Sequence, residues 1–525
     1  MFQNILLQTI LQKYENLRTS APKQNQKGGI HVLVLRLKTI ILLRIPHKTN
    51  YNRYICFCLI DIFINYKNMT DTKKFLLPES EIPTQWYNIQ ADMKTKPMPF
   101  LNPKTHEKLA PEDLYPIFTK ACSQQELDQT NAWIPIPDEV REQYKNYRCT
   151  PLVRAYALEK ALDTPAHIYF KNESVSPVGS HKLNSALAQA WYCKNEGVTN
   201  VTTETGAGQW GTALSYACRQ FGLELAVYMV KISFEQKPYR RSMMQTFGAQ
   251  VTPSPSMSTR AGKDILTVDP NCNGSLGTAI SEAIELAINT PNCKYCLGSV
   301  LNHVSLHQTI IGLEAEKQME MAEEYPDKII ACFGGGSNFS GIAFPFMRHN
   351  ILEGKTTEFI AAEPEACPKL TRGKFEYDFG DESGYTPLLP MYTIGHNFQP
   401  ANIHAGGLRY HGAGVIISQL LKDGYLHGVD IKQNDSFKAG LLFARTEGII
   451  PAPESCHAIA ATIQEAEKCK LEGKKKVLLF NLSGHGLIDM AAYDRYIAGD
   501  IQNYSPSEQE LEHNLEEVKP LNQGL

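Results

Sequence analysis

The chain has 525 residues, enough for two or three domain-sized units, with 43% hydrophobic and 20% charged residues and a formal net charge of -3. That balance argues against a nucleic-acid partner, which needs a basic face. The 13 Cys follow no disulfide or zinc spacing and read as reduced thiols; Cys293-Lys-Tyr-Cys296 is a CxxC with no second pair.

Residues 1–68 differ from the rest. They are rich in Ile, Leu, Asn, Lys and Tyr and carry only Glu15 and Asp61 as acids. Their apolar stretches, His31 to Ile45 and Tyr54 to Tyr66, are too short or too interrupted by Arg36, Lys38 and Arg44 to span a membrane. The segment reads as an atypical extension, disordered or mis-started upstream of Met69; its acid-poor character leaves an organellar transit peptide as the alternative to a cytoplasmic protein.

Residues 69–148, with Pro78, Pro83, Trp86, Tyr87, Pro97, Pro99 and Pro103, read as an arm with short helices at most. From Cys149 onward strand-like apolar runs alternate with helix-like runs that end in Gly. Strands are expected at His167–Phe170, Val201–Thr203, Leu225–Val230, Lys328–Phe333, Thr357–Ala362 and Lys476–Phe480. Helices are expected from Leu183 to Lys194, through Tyr216 to Gly222, and up to Gly248. Continuous apolar strands between amphipathic helices indicate parallel sheets covered on both faces. The fold class is therefore α/β, with two doubly wound domains and a ligand in the cleft between them, at the strands' carboxyl ends. The smaller domain is expected over 149–298, the larger over 299–500, and a solvated acidic tail or frayed helix over 501–525. No internal repeat is evident.

Four strand-end motifs carry chemistry. In Gly179-Ser-His-Lys-Leu-Asn184, Lys182 stands at a helix start beside His181, in positive potential that favours the neutral amine needed to form a Schiff base with an aldehyde. Alone, it reads equally as a solvated first-turn lysine. In Cys332-Phe-Gly334-Gly335-Gly336-Ser337-Asn338, consecutive glycines turn backbone N–H groups onto an anion. No Gly-Lys-Ser/Thr follows, and Phe339 stands where a dinucleotide loop needs its third glycine, so a small phosphorylated cofactor fits better than a nucleotide. In Thr203-Glu204-Thr205-Gly206-Ala207-Gly208-Gln209-Trp210-Gly211, backbone amides and Thr205 suit a carboxylate, and Glu204 suits proton transfer. In Asn481-Leu-Ser483-Gly484-His485-Gly486, Ser483 suits a ring nitrogen; a neutral hydroxyl there makes a shallower electron sink than a carboxylate and favours β-elimination over transamination. His303 and His307, one helical turn apart, lack a third ligand and read as structural; no metal site is expected.

Together these motifs resemble the tryptophan synthase β-chain family of fold-type II pyridoxal-phosphate enzymes, over Tyr87 to Gly499. GSHKLN, ETGAGQWG, GGGSN, EGIIPAPESCHA and NLSGHG occur in the family's order, and the match looks closest to the second, longer class of β-chains. The resemblance implies pyridoxal 5'-phosphate, with Lys182 as its Schiff-base lysine and His181 and Asn184 beside it. It implies Gly334, Gly335, Gly336, Ser337 and Asn338 on the phosphate, Ser483 on the pyridine nitrogen and Glu447 near the ring. Thr205, Gly206, Ala207, Gly208 and Gln209 would hold the substrate carboxylate. Glu204 would assist loss of the β-hydroxyl and steer indole. It further implies a monovalent cation, a homodimer, and work without a synthase α-chain.

Two positions depart from the better-known class: Trp210 replaces a histidine, and Arg409 stands where that class has an aspartate near the substrate hydroxyl. A guanidinium suits an anionic leaving group, so O-phospho-L-serine is a candidate donor beside L-serine; the plainer reading pairs Arg409 with a nearby carboxylate. The rival functions are another β-replacing or β-eliminating enzyme of this fold, such as a cysteine synthase, threonine synthase or serine dehydratase, and a silent scaffold that kept the fold.

Overall fold

The computed structural model describes residues 72–524. The expectations for residues 1–68 lie outside them.

Two sheets organise the chain. The larger has seven strands in the order Lys74–Phe75, Leu152–Arg154, His167–Asn172, Val477–Leu482, Lys328–Cys332, Glu358–Pro364 and His427–Ile431. Its last five strands are parallel and its first two antiparallel. Val477–Leu482 and Lys328–Cys332 are buried at every position, because helices cover both faces of the sheet's centre. The smaller sheet is wholly parallel, in the order Gln250–Ser254, Glu224–Val230, Asn200–Thr205 and Cys293–Tyr295.

The interior strands and the helix Leu183–Asn195 lie within a residue or two of where the apolar runs put them. The helix Gln209–Phe221 closes on Gly222 in the left-handed conformation, which satisfies its last carbonyls. The run up to Gly248 is instead split into Lys231–Gln236 and Pro238–Thr246. Pro238 supplies no N–H and disfavours helical backbone at Lys237, so one helix ends and another starts there.

Three features differ from the expected organisation. His167–Asn172, assigned to the smaller domain by its place in the chain, pairs with Val477–Leu482 in the larger sheet. The arm, expected to hold short helices at most, also pairs two short antiparallel strands, Gln85–Tyr87 and Trp133–Pro135, and Trp86 and Tyr87 are fully buried in the main core rather than laid over it. The acidic tail is docked: Ser507 caps the helix Glu508–Glu516, Leu511, Leu515 and Val518 are buried, and Asn522 bonds both backbone groups of Tyr377. Its apolar spacing of three and four residues marks one buried helix face beneath the glutamates. Among the described residues no helix is long and apolar enough to cross a membrane.

Candidate active site

Lys182 is the N-cap of the helix Leu183–Asn195, and its Nζ donates to the Gly298 carbonyl at 3.1 Å. Burial pulls its pKa below the usual lysine range, against the opposing pull of Glu454 and Glu204. His181 is buried, and desolvation, then the charge of Lys182, hold its pKa down to about 3, so the imidazole is neutral. Its Nε2 lies 3.5 Å from Ser337 Oγ.

Facing them, the strand Lys328–Cys332 runs through Gly334, Gly335 and Gly336 into the helix Ser337–Glu353. Gly336 has φ +119°, and a Cβ there would stand 2.0 Å from Ile417 Cδ1, so only glycine gives this turn. The cavity above holds about 420 Å³ and is lined by Ser180, Lys182, the three glycines, Ser337, Asn338, Glu454 and Ser483. Asn338 accepts from Asn481 at 2.6 Å and donates to the Cys332 carbonyl at 3.1 Å, fixing the strand end under the loop. Ser483 Oγ lies 2.6 Å from Ser455 Oγ.

These residues fit pyridoxal phosphate. Ser180 Oγ is buried on the cavity wall and, among the described residues, has no hydrogen-bond partner, an orphan that an anion satisfies. The open N-terminus of the glycine-loop helix suits a phosphate, the Lys182 amine suits the aldehyde, and Ser483 offers a hydroxyl to the ring nitrogen.

The adjoining cavity, about 510 Å³, extends from Lys182 to the end of the strand Asn200–Thr205 and is lined by Glu204, Thr205, Gly206, Ala207, Gln209 and Trp210. Glu204 is buried and accepts from the Tyr295 hydroxyl. Burial raises its pKa to about 8 despite that hydrogen bond and the nearby Lys182. Thr205 Oγ1 accepts from Gly211 N at 3.1 Å and folds the loop back on its helix. Gly208 takes φ +92° with Arg240 Cβ only 2.7 Å from where its own Cβ would be, so the loop turns tightly against that arginine. Trp210 Nε1 donates to Thr203 Oγ1 at 2.7 Å, and its ring packs against Gly298. A third, largely apolar cavity of about 500 Å³ shares Ile280, Leu297, Val300 and Tyr410 with the second.

A family model described as "Pyridoxal-phosphate dependent enzyme" matches residues 144–484. The chain belongs to this family. Among curated relatives, "Tryptophan synthase beta chain 2" of Thermotoga maritima is 56% identical over 418 residues, covering 80% of this chain and 98% of its own. The protein of the same name from Aquifex aeolicus is 55% identical, covering 82% and 99%. A solved fungal L-serine ammonia-lyase from Rhizomucor miehei aligns with TM-score 0.50 at 18% identity, covering 67% of this chain and 98% of that one, a likeness of fold.

Within this pyridoxal-phosphate-dependent fold, two expected cofactor residues lie elsewhere. Glu447 does not line the cofactor cavity: its carboxylate pairs with Lys73 at 2.8 Å and accepts from Leu158 N at 2.9 Å. The carboxylate in the cavity is Glu454, which accepts from Gln209 Nε2 and from Gly407 N, each at 2.9 Å. Both glutamates belong to EGIIPAPESCHA. Only Glu454 directly precedes the helix Ser455–Glu472, which opens into the cleft, and that position was the available signal. Asn184 also lines neither cofactor nor substrate cavity. Its amide is used up beneath them, accepting from Arg148 at 2.8 Å and donating to Glu173 and Gln308.

Among the described residues Arg409 pairs with no carboxylate. Its Nη1 donates to Asn402 at 3.3 Å and its Nη2 to Ser233 at 3.4 Å, next to Gly406; Gly406 lines the substrate cavity, whereas Arg409 itself, expected to bind substrate, is not part of that lining. Burial lowers its pKa. His303 and His307 are bonded in the core, to Glu126 at 2.6 Å and to Ser185 and Gln125. Cys293 and Cys296 are buried free thiols. Ser180, Tyr295, Ser299, Tyr410 and Glu454 are polar residues at the site that the motifs do not single out.

Proposed function

We propose that this chain joins L-serine to indole, giving L-tryptophan and water. The observation that carries the reading is a buried carboxylate, Glu204, poised to gain or lose a proton near neutral pH, on a cavity that it shares with Lys182 and that adjoins an apolar one across Ile280, Leu297, Val300 and Tyr410. Pyridoxal phosphate, when bound, supplies the electron sink that makes the bond to the β-substituent labile.

The chain's own residues do the rest. Gly334 to Ser337 and Ser180 would hold the phosphate, with neutral His181 beside Ser337. Ser483 would offer the ring nitrogen a neutral hydroxyl rather than a carboxylate. The Thr205 to Gln209 loop binds the substrate carboxylate, with Gln209 braced by Glu454. Glu204 gives its proton to the departing β-oxygen, then takes one from the indole ring after attack, so its pKa must lie near the working pH. Leu276, Ile280, Leu297 and Val300 keep water from the reacting carbon and present an apolar face to indole.

Arg409, which pairs with no carboxylate among the described residues, supports O-phospho-L-serine as an alternative donor, with phosphate leaving instead of water. The cytoplasmic homodimer, the monovalent cation and independence from an α-chain rest on the family resemblance.

The test is tryptophan formation from indole with L-serine or O-phospho-L-serine, using holoenzyme. Either donor should yield tryptophan, Lys182→Ala should lower turnover by at least ~10³-fold, and Arg409→Ala should depress phosphoserine turnover more than serine turnover. Pyruvate in place of tryptophan would make the chain a β-eliminating enzyme. Equal losses with both donors would leave Arg409 without a role at the leaving group.

A further inference from the structure

Tyr295 ends the strand Cys293–Tyr295 and is paired in register with Thr202 of the parallel strand Asn200–Thr205. Residues two apart on a strand share a face, so Glu204 projects on the same side as Thr202, about 6.6 Å further along. A phenol is the side chain long enough to bridge that step, and the Tyr295 hydroxyl donates to Glu204 Oε2. The ring is fixed: it is 2% exposed, its backbone N–H donates to the Ile117 carbonyl at 2.9 Å, and it contacts the Phe118 ring at 5.8 Å between centroids. Among the described residues no second side chain hydrogen-bonds the Glu204 carboxylate, so one oxygen is held and the other is left to the substrate cavity.

We propose that Tyr295 is a positioning residue for the reaction: it locks the rotamer of Glu204 and, by donating to the ionised carboxylate, sets how readily Glu204 exchanges its proton with substrate. The proposal rests on the role given above to Glu204. Burial keeps the phenol itself protonated, so it acts as a fixed donor throughout the working pH range. The other ionisable groups near the pair are Lys182 on the cofactor side and Tyr410 and Asp381 on the larger domain's side. None of them is hydrogen-bonded to the Glu204 carboxylate, so the phenol is its specific tuner.

The experiment is an infrared titration of the Glu204 carboxyl in holoenzyme, isolated as the difference between the protein and its Glu204→Gln variant. It needs no tryptophan formation, so it stands even where the proposed reaction fails. With Tyr295→Phe the midpoint should rise by about one pH unit, since a donor to the charged form is lost. Turnover should fall about tenfold, the equivalent of that shift, with KM for the amino-acid donor within about twofold. Replacing Tyr295 by 3-fluorotyrosine, a stronger donor of nearly the same shape, should move the midpoint down, and this variant serves if the phenylalanine one does not fold. On a Glu204→Gln background Tyr295→Phe should cost nothing further. An unmoved midpoint, or equal losses of turnover with and without the Glu204 carboxylate, would overturn the proposal.

Discussion

Two groups of buried charges flank the first turn of the helix Leu183–Asn195, and they are built on opposite terms. Beneath it, Arg148, Lys171, Glu173 and Glu314 are fully buried but paired: Arg148 meets Glu314 at 2.6 Å and Glu173 at 3.0 Å, and Lys171 meets Glu314 at 2.7 Å. Above it, Lys182 and Glu204 are desolvated and, among the described residues, make no ion pair; they feel only the weaker pull of each other's charge and, at Lys182, of Glu454. Burial pushes up the pKa of both glutamates. At Glu173 the charges of Arg148 and Lys171 outweigh it and hold the pKa to about 2; at Glu204 nothing does, and it reaches about 8. Burial alone therefore does not make a catalytic group. Burial with too little counter-charge leaves a carboxyl that exchanges its proton near neutral pH, and the paired cluster supplies the rigid floor, through Asn184, beneath it.

The contrast breaks first at Glu204. Glu204→Gln should lower turnover by about 10²- to 10⁴-fold, measured as steady-state tryptophan formation, while leaving the melting temperature at pH 5 unchanged. Arg148→Met should do the reverse in kind. Stripped of the guanidinium, Glu173 and Glu314 are left with Lys171 alone, and stability should drop by about 3–5 kcal/mol, read from denaturant unfolding.

pH sharpens the comparison further. Glu173 is depressed from 4.5 to about 2, so its contribution is complete above pH 4.5 and is lost as pH falls toward 2. Glu204 is raised from 4.5 to about 8, so its burial is free of penalty below pH 4.5 and destabilises increasingly as pH rises through 8. Cofactor-free Glu204→Gln should therefore be more stable than the parent protein at pH 9, by at least ~1 kcal/mol, and equal to it near pH 4.5. A constant difference across that range would mean that Glu204 is not held in its neutral form by burial.

Much of this was legible in the sequence because it is local. Apolar runs gave the interior strands, terminal glycines the helix ends, and Gly334 to Ser337 the cradle, since a strand–glycine–helix turn exposes backbone N–H groups whatever surrounds it. Short edge strands such as Lys74–Phe75 have too few residues to show a period. The docking of the tail helix is hidden in the sequence because its charge outweighs its sparse apolar positions, Leu511, Leu515 and Val518.

By itself, then, the sequence determined which backbone turns exist and which chemical groups ride on them: an amine at a helix start, a glycine cradle, a carboxylate and a hydroxyl at strand ends. Only the tertiary structure decided which of two glutamates seven residues apart faces the cofactor cavity. Glu447 is claimed by Lys73, 374 positions away, and Glu454 by Gln209, 245 positions away. It also decided that His167–Asn172 crosses to the larger sheet and that Tyr295 reaches Glu204. The physical reason is common to all three. Backbone geometry is set by neighbours in the chain, whereas a side chain's partner, burial and proton affinity are set by whatever distant segments the packed core brings against it.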